Sequence, residues 1–238
     1  YFIRGSISLT KVDKDYPDNK LTGAVFEVYS DTNGDGKLDK DDALLGTMTE
    51  MEGGIYQMKE LRYGKYLVRE KTAPTGYILD GNVYPISIEE NGKTYTVENE
   101  AGKGFLNEAQ KGNLKIVKTS SDGKVEGFSF RITGVNYDQT FKTDRNGEIS
   151  IEGLRIGEYT VSEVNDKASA GYILPADKQA SVQTGATTIV QMHNELRDTP
   201  KTGDDFNPAL WVSLAAAFTI GAGVLGFLGI KGKKKKED

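Results

Sequence analysis

The sequence predicts an all-β protein, two tandem β-sandwiches followed by a single transmembrane helix. Three observations predict it. Runs of five to eight residues alternate apolar and polar, separated by turn signals such as Asp122-Gly123 and Asn146-Gly147. The same landmarks come round twice along residues 5–196. Near the C-terminus, 22 residues from Ala209 to Ile230 carry no charge.

The repeat sets the domain boundaries. Gly5-Ser6-Ile7-Ser8-Leu9-Thr10-Lys11 matches Gly112-Asn113-Leu114-Lys115-Ile116-Val117-Lys118. LTGAVFEV (21–28) matches VEGFSFRI (125–132), and LRYGKYLVRE (61–70) matches LRIGEYTVSE (154–163) without a gap. Gly-Tyr-Ile-Leu recurs at 76–79 and 171–174, and Phe105-Leu106-Asn107-Glu108 corresponds to Met192-His193-Asn194-Glu195. Two domains follow, 1–108 and 112–196, with Ala109 to Lys111 as a short hinge. About seven short strands in each suggest a sandwich.

Composition narrows the function classes. With 27% charged and 37% hydrophobic residues, the chain is that of a folded protein. A formal charge of −5 argues against a nucleic-acid partner, whose footprint is a basic patch. Without cysteine there is neither a disulfide nor a thiolate nucleophile. The single histidine, His193, falls on the solvent face of its strand. The chain opens on Tyr1 with no signal peptide, so a preceding N-terminal part is expected.

Alternation places polar side chains among apolar ones. Ile7, Leu9 and Lys11 share one face of the first strand, as do Tyr66, Val68 and Glu70, and Phe105 and Asn107. The second repeat gives Leu114, Ile116 and Lys118; Tyr159, Val161 and Glu163; Val190, Met192 and Asn194. A lysine, a glutamate and an asparagine thus fall in apolar register in both repeats. Burying an unpaired charge costs several kcal/mol, so a stable core needs a way to remove it.

The pattern resembles the collagen-adhesin B-type domain, also found in SpaA-type pilins. Residues 66–77, with Tyr66, Glu70, Ala73, Pro74, Gly76 and Tyr77, are very like that family's YxLxExxAPxGY box. The resemblance implies an immunoglobulin-like sandwich in which a first-strand lysine joins a last-strand asparagine in an intramolecular isopeptide bond. Carried over, the cross-links are Lys11 to Asn107 and Lys118 to Asn194, with Glu70 and Glu163 as assisting acids. Burial lowers the lysine pKa, freeing its lone pair, and raises that of the glutamate, keeping it protonated. The segment after Glu163 departs from the box: it is two residues longer and lacks the Ala-Pro pair.

The C-terminal segment carries a second signal. At 1.5 Å per residue, 209–230 makes about 33 Å of helix, enough to span a bilayer core of about 30 Å. Five lysines lie in the tail 231–238, so residues before 209 are expected outside the cell. The linker 197–208 contains Thr199-Pro200-Lys201-Thr202-Gly203. Pentapeptide, apolar span and basic tail in this order resemble the LPXTG cell-wall sorting signal, with Thr199 in place of leucine. The resemblance implies a sortase that cleaves between Thr202 and Gly203 and joins the Thr202 carbonyl to a peptidoglycan precursor, after transient membrane anchoring. The part left outside, 1–202, holds 25 basic and 31 acidic residues, a balance of −6.

The first repeat carries an insertion, Asp31-Thr32-Asn33-Gly34-Asp35-Gly36-Lys37-Leu38-Asp39-Lys40-Asp41-Asp42. It resembles an EF-hand or dockerin calcium loop. Asp31, Asn33, Asp35, Asp39 and Asp42 stand at the ligand positions 1, 3, 5, 9 and 12, and Lys37 offers its carbonyl. Calcium is therefore an expected ligand, though no cofactor is required. No convergent acid, base and nucleophile remains elsewhere, so no enzyme is expected beyond self-cross-linking. The reading is a wall-anchored stalk of a Gram-positive surface protein. A basal or minor pilin subunit, or an adhesin for a host protein or glycan, are the alternatives.

Overall fold

The computed structural model describes residues 2–198. The sorting motif Thr199–Gly203, the apolar span and the basic tail lie outside the described residues. Among those described, no helix is long and apolar enough to cross a membrane.

Alternation rules from the first strand. Along β1 (Arg4–Asp13), Ile7, Leu9, Lys11 and Asp13 are buried while Ser6, Ser8 and Thr10 are partly exposed. The first sandwich continues with β2 (Val25–Ser30), β3 (Ala43–Thr47), β4 (Thr49–Met51), β5 (Ile55–Arg62), β6 (Gly64–Thr72), β7 (Val83–Ile88), β8 (Thr94–Thr96) and β9 (Phe105–Asn107). The second holds β10 (Lys111–Ser120), β11 (Ser129–Gly134), β12 (Tyr137–Lys142), β13 (Glu148–Arg155), β14 (Gly157–Glu163), β15 (Tyr172–Ile173), β16 (Lys178–Val182) and β17 (Thr187–Leu196).

Each sandwich packs two sheets. In the first, β4-β5-β1-β8 with β9 also on β1 faces β3-β2-β6-β7. In the second, β13-β10-β17-β15 faces β12-β11-β14-β16. The first and last strands run parallel side by side. β10 pairs β17 without a break from Asn113↔Thr187 to Ser120↔Asn194. In the first sandwich that role is divided, with β8 along Ser6–Ser8 and β9 along Lys11–Asp13. Parallel neighbours require a long crossover, and here the whole opposite sheet supplies it.

Inward faces close the cores. Phe26 packs edge-to-face on Tyr56 and Phe105, with ring centroids 5.2 and 4.9 Å apart. Phe128 meets Tyr172 in the same way at 5.3 Å. Two glycines seat the first strands. The Lys11 amide donates to the Gly54 carbonyl (2.8 Å) and the Lys118 amide to that of Gly147 (2.7 Å). Both glycines have positive φ, +70° and +77°, and a Cβ would come within 2.9 Å of the Leu21 carbonyl and 2.7 Å of the Lys118 carbonyl. The insertion lies in the β2–β3 hairpin, residues 31–42, where the β11–β12 hairpin turns on Val135 and Asn136 alone.

Ala109 to Lys111, expected as a hinge, is bound on both sides. Tyr77 bridges Ala109, and the Gln110 amide donates to Gly76 while its carbonyl accepts from Ile156. Arg155 then reaches from the second sandwich to Asp13, which is fully buried. Its guanidinium forks onto both carboxylate oxygens at 2.6 and 2.8 Å, and the Tyr77 hydroxyl donates to the same group at 2.7 Å. These donors hold the Asp13 carboxyl well below the usual range against the opposing effect of burial. Removing Arg155 strands a buried carboxylate, so Arg155→Ala should lower the unfolding free energy by about 3–5 kcal/mol. Lys111→Ala, whose pair with Asp15 is half-exposed, should lower it by less than about 1 kcal/mol. Chemical denaturation of the two variants checks the contrast.

Candidate functional site

Strand register brings the first lysine and asparagine together. In the parallel β1–β9 pair Lys11 lies opposite Phe105 and Asp13 opposite Asn107. Lys11 and Asn107 are therefore offset by two positions on one inward face. Glu70 comes from β6 in the facing sheet, where Phe26 is its strand partner. All three are buried, with Lys11 0%, Glu70 3% and Asn107 2% exposed.

Every polar atom of this trio has a partner. The Lys11 ammonium donates to the Phe105 carbonyl (3.1 Å) and to Asn107 Oδ1, and lies 3.7 Å from Glu70 Oε1. The Asn107 amide nitrogen donates to Glu70 Oε1 and Oε2 at 3.0 and 2.8 Å and to the Ile78 carbonyl at 2.9 Å. The Asp80 amide donates to Glu70 Oε2 at 2.8 Å. Burial pushes the Lys11 amine down to about 8 although Glu70 pulls the other way. Burial raises the Glu70 carboxyl against the opposing hydrogen bonds from Asp80 and Asn107. Chemically, an amine with a depressed pKa thus touches the carbonyl side of a primary amide, and a carboxyl with a raised pKa touches its nitrogen.

The second sandwich brings Glu163 and Asn194 together but turns Lys118 away. Asn194 donates to Glu163 Oε1 at 2.6 Å. The register repeats that of the first sandwich, with Lys118 opposite Met192 and Ser120 opposite Asn194. The Lys118 ammonium instead donates to the Thr119 carbonyl (2.5 Å) and sits 4.3 Å from the Phe128 ring centroid. Asn194 Oδ1 and Glu163 Oε2 are left buried without partners. Burial lowers Lys118 and raises Glu163, as in the first site.

The insertion gathers its expected ligands in one loop. Asp31 Oδ2 accepts from the Gly36 amide (3.1 Å), Asn33 Oδ1 from Asp35 (2.9 Å) and Asp35 Oδ1 from Lys37 (2.8 Å). Asp39 accepts from the Asp41 amide (2.8 Å), and Asp42 from those of Thr32 (3.0 Å) and Asp39 (2.9 Å). Among the described residues, no three His, Cys, Asp or Glu side chains are grouped as a metal cluster. His193 is exposed, bonded to Thr119 and Glu195.

Three contributors escaped the sequence reading. Asp13 and Arg155 join the two sandwiches, and extending the Ile7-Leu9-Lys11 alternation one step further would have flagged Asp13. Asp80 orients Glu70 through its backbone amide, which no side-chain pattern reveals. Its own carboxylate is held by Tyr84 (2.6 Å) and Asn99 (3.0 Å) and lies below its usual range for that reason, against burial.

The depressed Lys11 amine makes a prediction about pH. From about pH 8 to the ordinary lysine value of 10.5, the unfolded chain holds a proton that the folded chain has released. A chain that keeps this amine free, Asn107→Ala, should therefore gain stability as pH rises through that window. Adding Lys11→Met should remove the gain, as read by denaturant midpoints across the range.

Comparisons with known proteins agree with this architecture. The family model described as the SpaA prealbumin-like fold domain matches residues 5–103 and 112–196. The solved structure of the Bacillus anthracis TIE protein is 23% identical with a TM-score of 0.63, over 81% of this chain and 34% of that one. This chain thus spans about a third of that protein's length. A C-terminal fragment of the pilus adhesin SpaC from Lactobacillus rhamnosus GG is 15% identical with a TM-score of 0.50, over 84% of this chain and 99% of the fragment. At such identities the likeness is one of fold. None of the curated protein sequences matches. The all-β reading stands, and the matched family describes the fold of both sandwiches as prealbumin-like. With both sandwiches matched, the chain belongs to the SpaA prealbumin-like fold domain family.

Proposed function

We propose that the chain is the wall-anchored stalk of a Gram-positive surface protein, cross-linked within each sandwich and attached through Thr202. The observation that carries this reading is the buried contact of Lys11 with Asn107 and Glu70. In the reaction the neutral Lys11 Nζ attacks Asn107 Cγ, the Cγ–Nδ2 bond breaks, and ammonia leaves. Glu70, already at Nδ2, relays the proton from the amine to the departing nitrogen. One neutral amide replaces a buried amine and a primary amide. Rotation of the Lys118 side chain toward the unpartnered Asn194 Oδ1 sets up the same reaction in the second sandwich.

The consequence is mechanical. Each bond would join first strand to last, so tension would run through residues 1–11, cross to 107–118, and cross again to 194–202. Residues 12–106 and 119–193 would carry none of it. The clasp of Asp13 and Arg155 supports the same role, since it holds successive sandwiches against bending. Covalent attachment at Thr202 follows from the order of pentapeptide, apolar span and lysines. A minor or basal pilus subunit is the second reading, favoured by the likeness to the pilus-adhesin fragment.

Two measurements test the proposal. Pulling the chain from its ends in a single-molecule instrument should show no step that releases the interior of either sandwich. A step of about 320 Å, the extended length of residues 12–106, would refute the first cross-link. Muralytic digestion should release the protein from cells without detergent, and deletion of sortase should prevent that. Release by detergent alone from wild-type cells would replace the wall linkage with a membrane anchor, and a ladder of polymers in the wall extract would favour the pilus reading.

A further inference from the structure

The loop between β2 and β3 is the sequence motif that the stalk reading leaves unused. It holds five aspartates, Asp31, Asp35, Asp39, Asp41 and Asp42, within twelve residues. None of them forms an ion pair among the described residues. The nearby Lys65 ammonium donates instead to the Gly34 carbonyl at 3.1 Å. So dense a set of unpaired like charges is repulsive without a counter-ion.

Asp31 stands apart from the other four. It directly follows β2 and is 8% exposed, whereas Asp35, Asp39 and Asp41 are exposed. Its Oδ2 accepts the Gly36 amide, which turns the carboxylate over the loop. Its Oδ1 is buried and has no partner. A buried carboxylate oxygen without a protein donor is a costly arrangement, and a cation is the partner that would relieve it.

We propose that this loop binds one calcium ion, with Asp31 Oδ1 as its buried anchor. Asn33, Asp35, Asp39, Asp42 and the Lys37 carbonyl complete an all-oxygen set suited to a hard divalent cation. The hydrogen bonds that Asp35, Asp39 and Asp42 now make to loop amides do not exclude ligation, because a carboxylate has about four acceptor sites. The ion would brace the hairpin of β2 and β3, and β2 lies directly against the Glu70 strand. Calcium thereby stiffens the wall behind the cross-linking site, independently of whether the cross-link forms.

The test is titration of the 238-residue chain with calcium chloride, read by calorimetry and by trypsin cleavage after Lys37 and Lys40. One ion should bind per chain and slow those cleavages by about tenfold. Asp31→Asn should weaken binding by about tenfold or more, and Asp35→Asn, at an exposed position, should do so without disturbing the core. Asp41→Asn, outside the ligand positions, should bind as the parent does. No heat and unchanged cleavage at millimolar calcium would overturn the proposal, as would parent-like binding by both Asp31→Asn and Asp35→Asn.

Discussion

A lysine side chain wholly enclosed by an apolar core is the constraint on which the rest of the first sandwich depends. An ammonium there loses hydration worth several kcal/mol unless it is neutralised or fully bonded. The fold answers with two placements. Parallel pairing of β1 with β9 sets Asn107 beside Lys11, and face-to-face packing of the two sheets lowers Glu70 onto both. The first placement needs the chain to cross the opposite sheet and return, so a local contact of three side chains rests on the topology of the whole sandwich. Formation of the amide would remove the charge problem altogether, which makes the reaction and the stability of the core one question.

The two repeats share this constraint and differ in how far they satisfy it. Backbone register is the same in both, yet only the first closes the hydrogen-bond circuit. In the first, the segment after Glu70 turns so that the Asp80 amide and the Ile78 carbonyl grip Glu70 and Asn107. In the second, the longer segment after Glu163 folds on itself through Asp166 and Ser169 and gives Glu163 no comparable donor. The Lys118 ammonium finds its stabilisation on the Phe128 ring instead.

Much of this was legible in the sequence because strand alternation is a local property. The faces of β1, β6 and β9 followed from a period of two, and the repeat doubled the evidence for Lys11, Glu70 and Asn107. What escaped was non-local. Parallel pairing of first and last strands leaves no mark on any single strand. Asp13 escaped because strand ends ordinarily reach solvent, and its burial is completed by Arg155, 142 residues away. Asp80 acts through a backbone amide, to which residue type is blind. The turned-away Lys118 shows the other limit, since register places a side chain on a face and leaves its rotamer open.

Intact mass of the folded chain tests the central claim most directly. Each lysine–asparagine amide expels one ammonia, about 17 Da, and two cross-links remove about 34 Da from the sequence mass. Glu70→Ala should restore the first loss and Glu163→Ala the second, each leaving the other sandwich cross-linked. Fragmentation should then yield one branched peptide joining Lys11 to Asn107 and another joining Lys118 to Asn194. A folded chain whose mass equals that of its sequence would contradict the account, and a single loss restored by Glu70→Ala would confine the chemistry to the first sandwich.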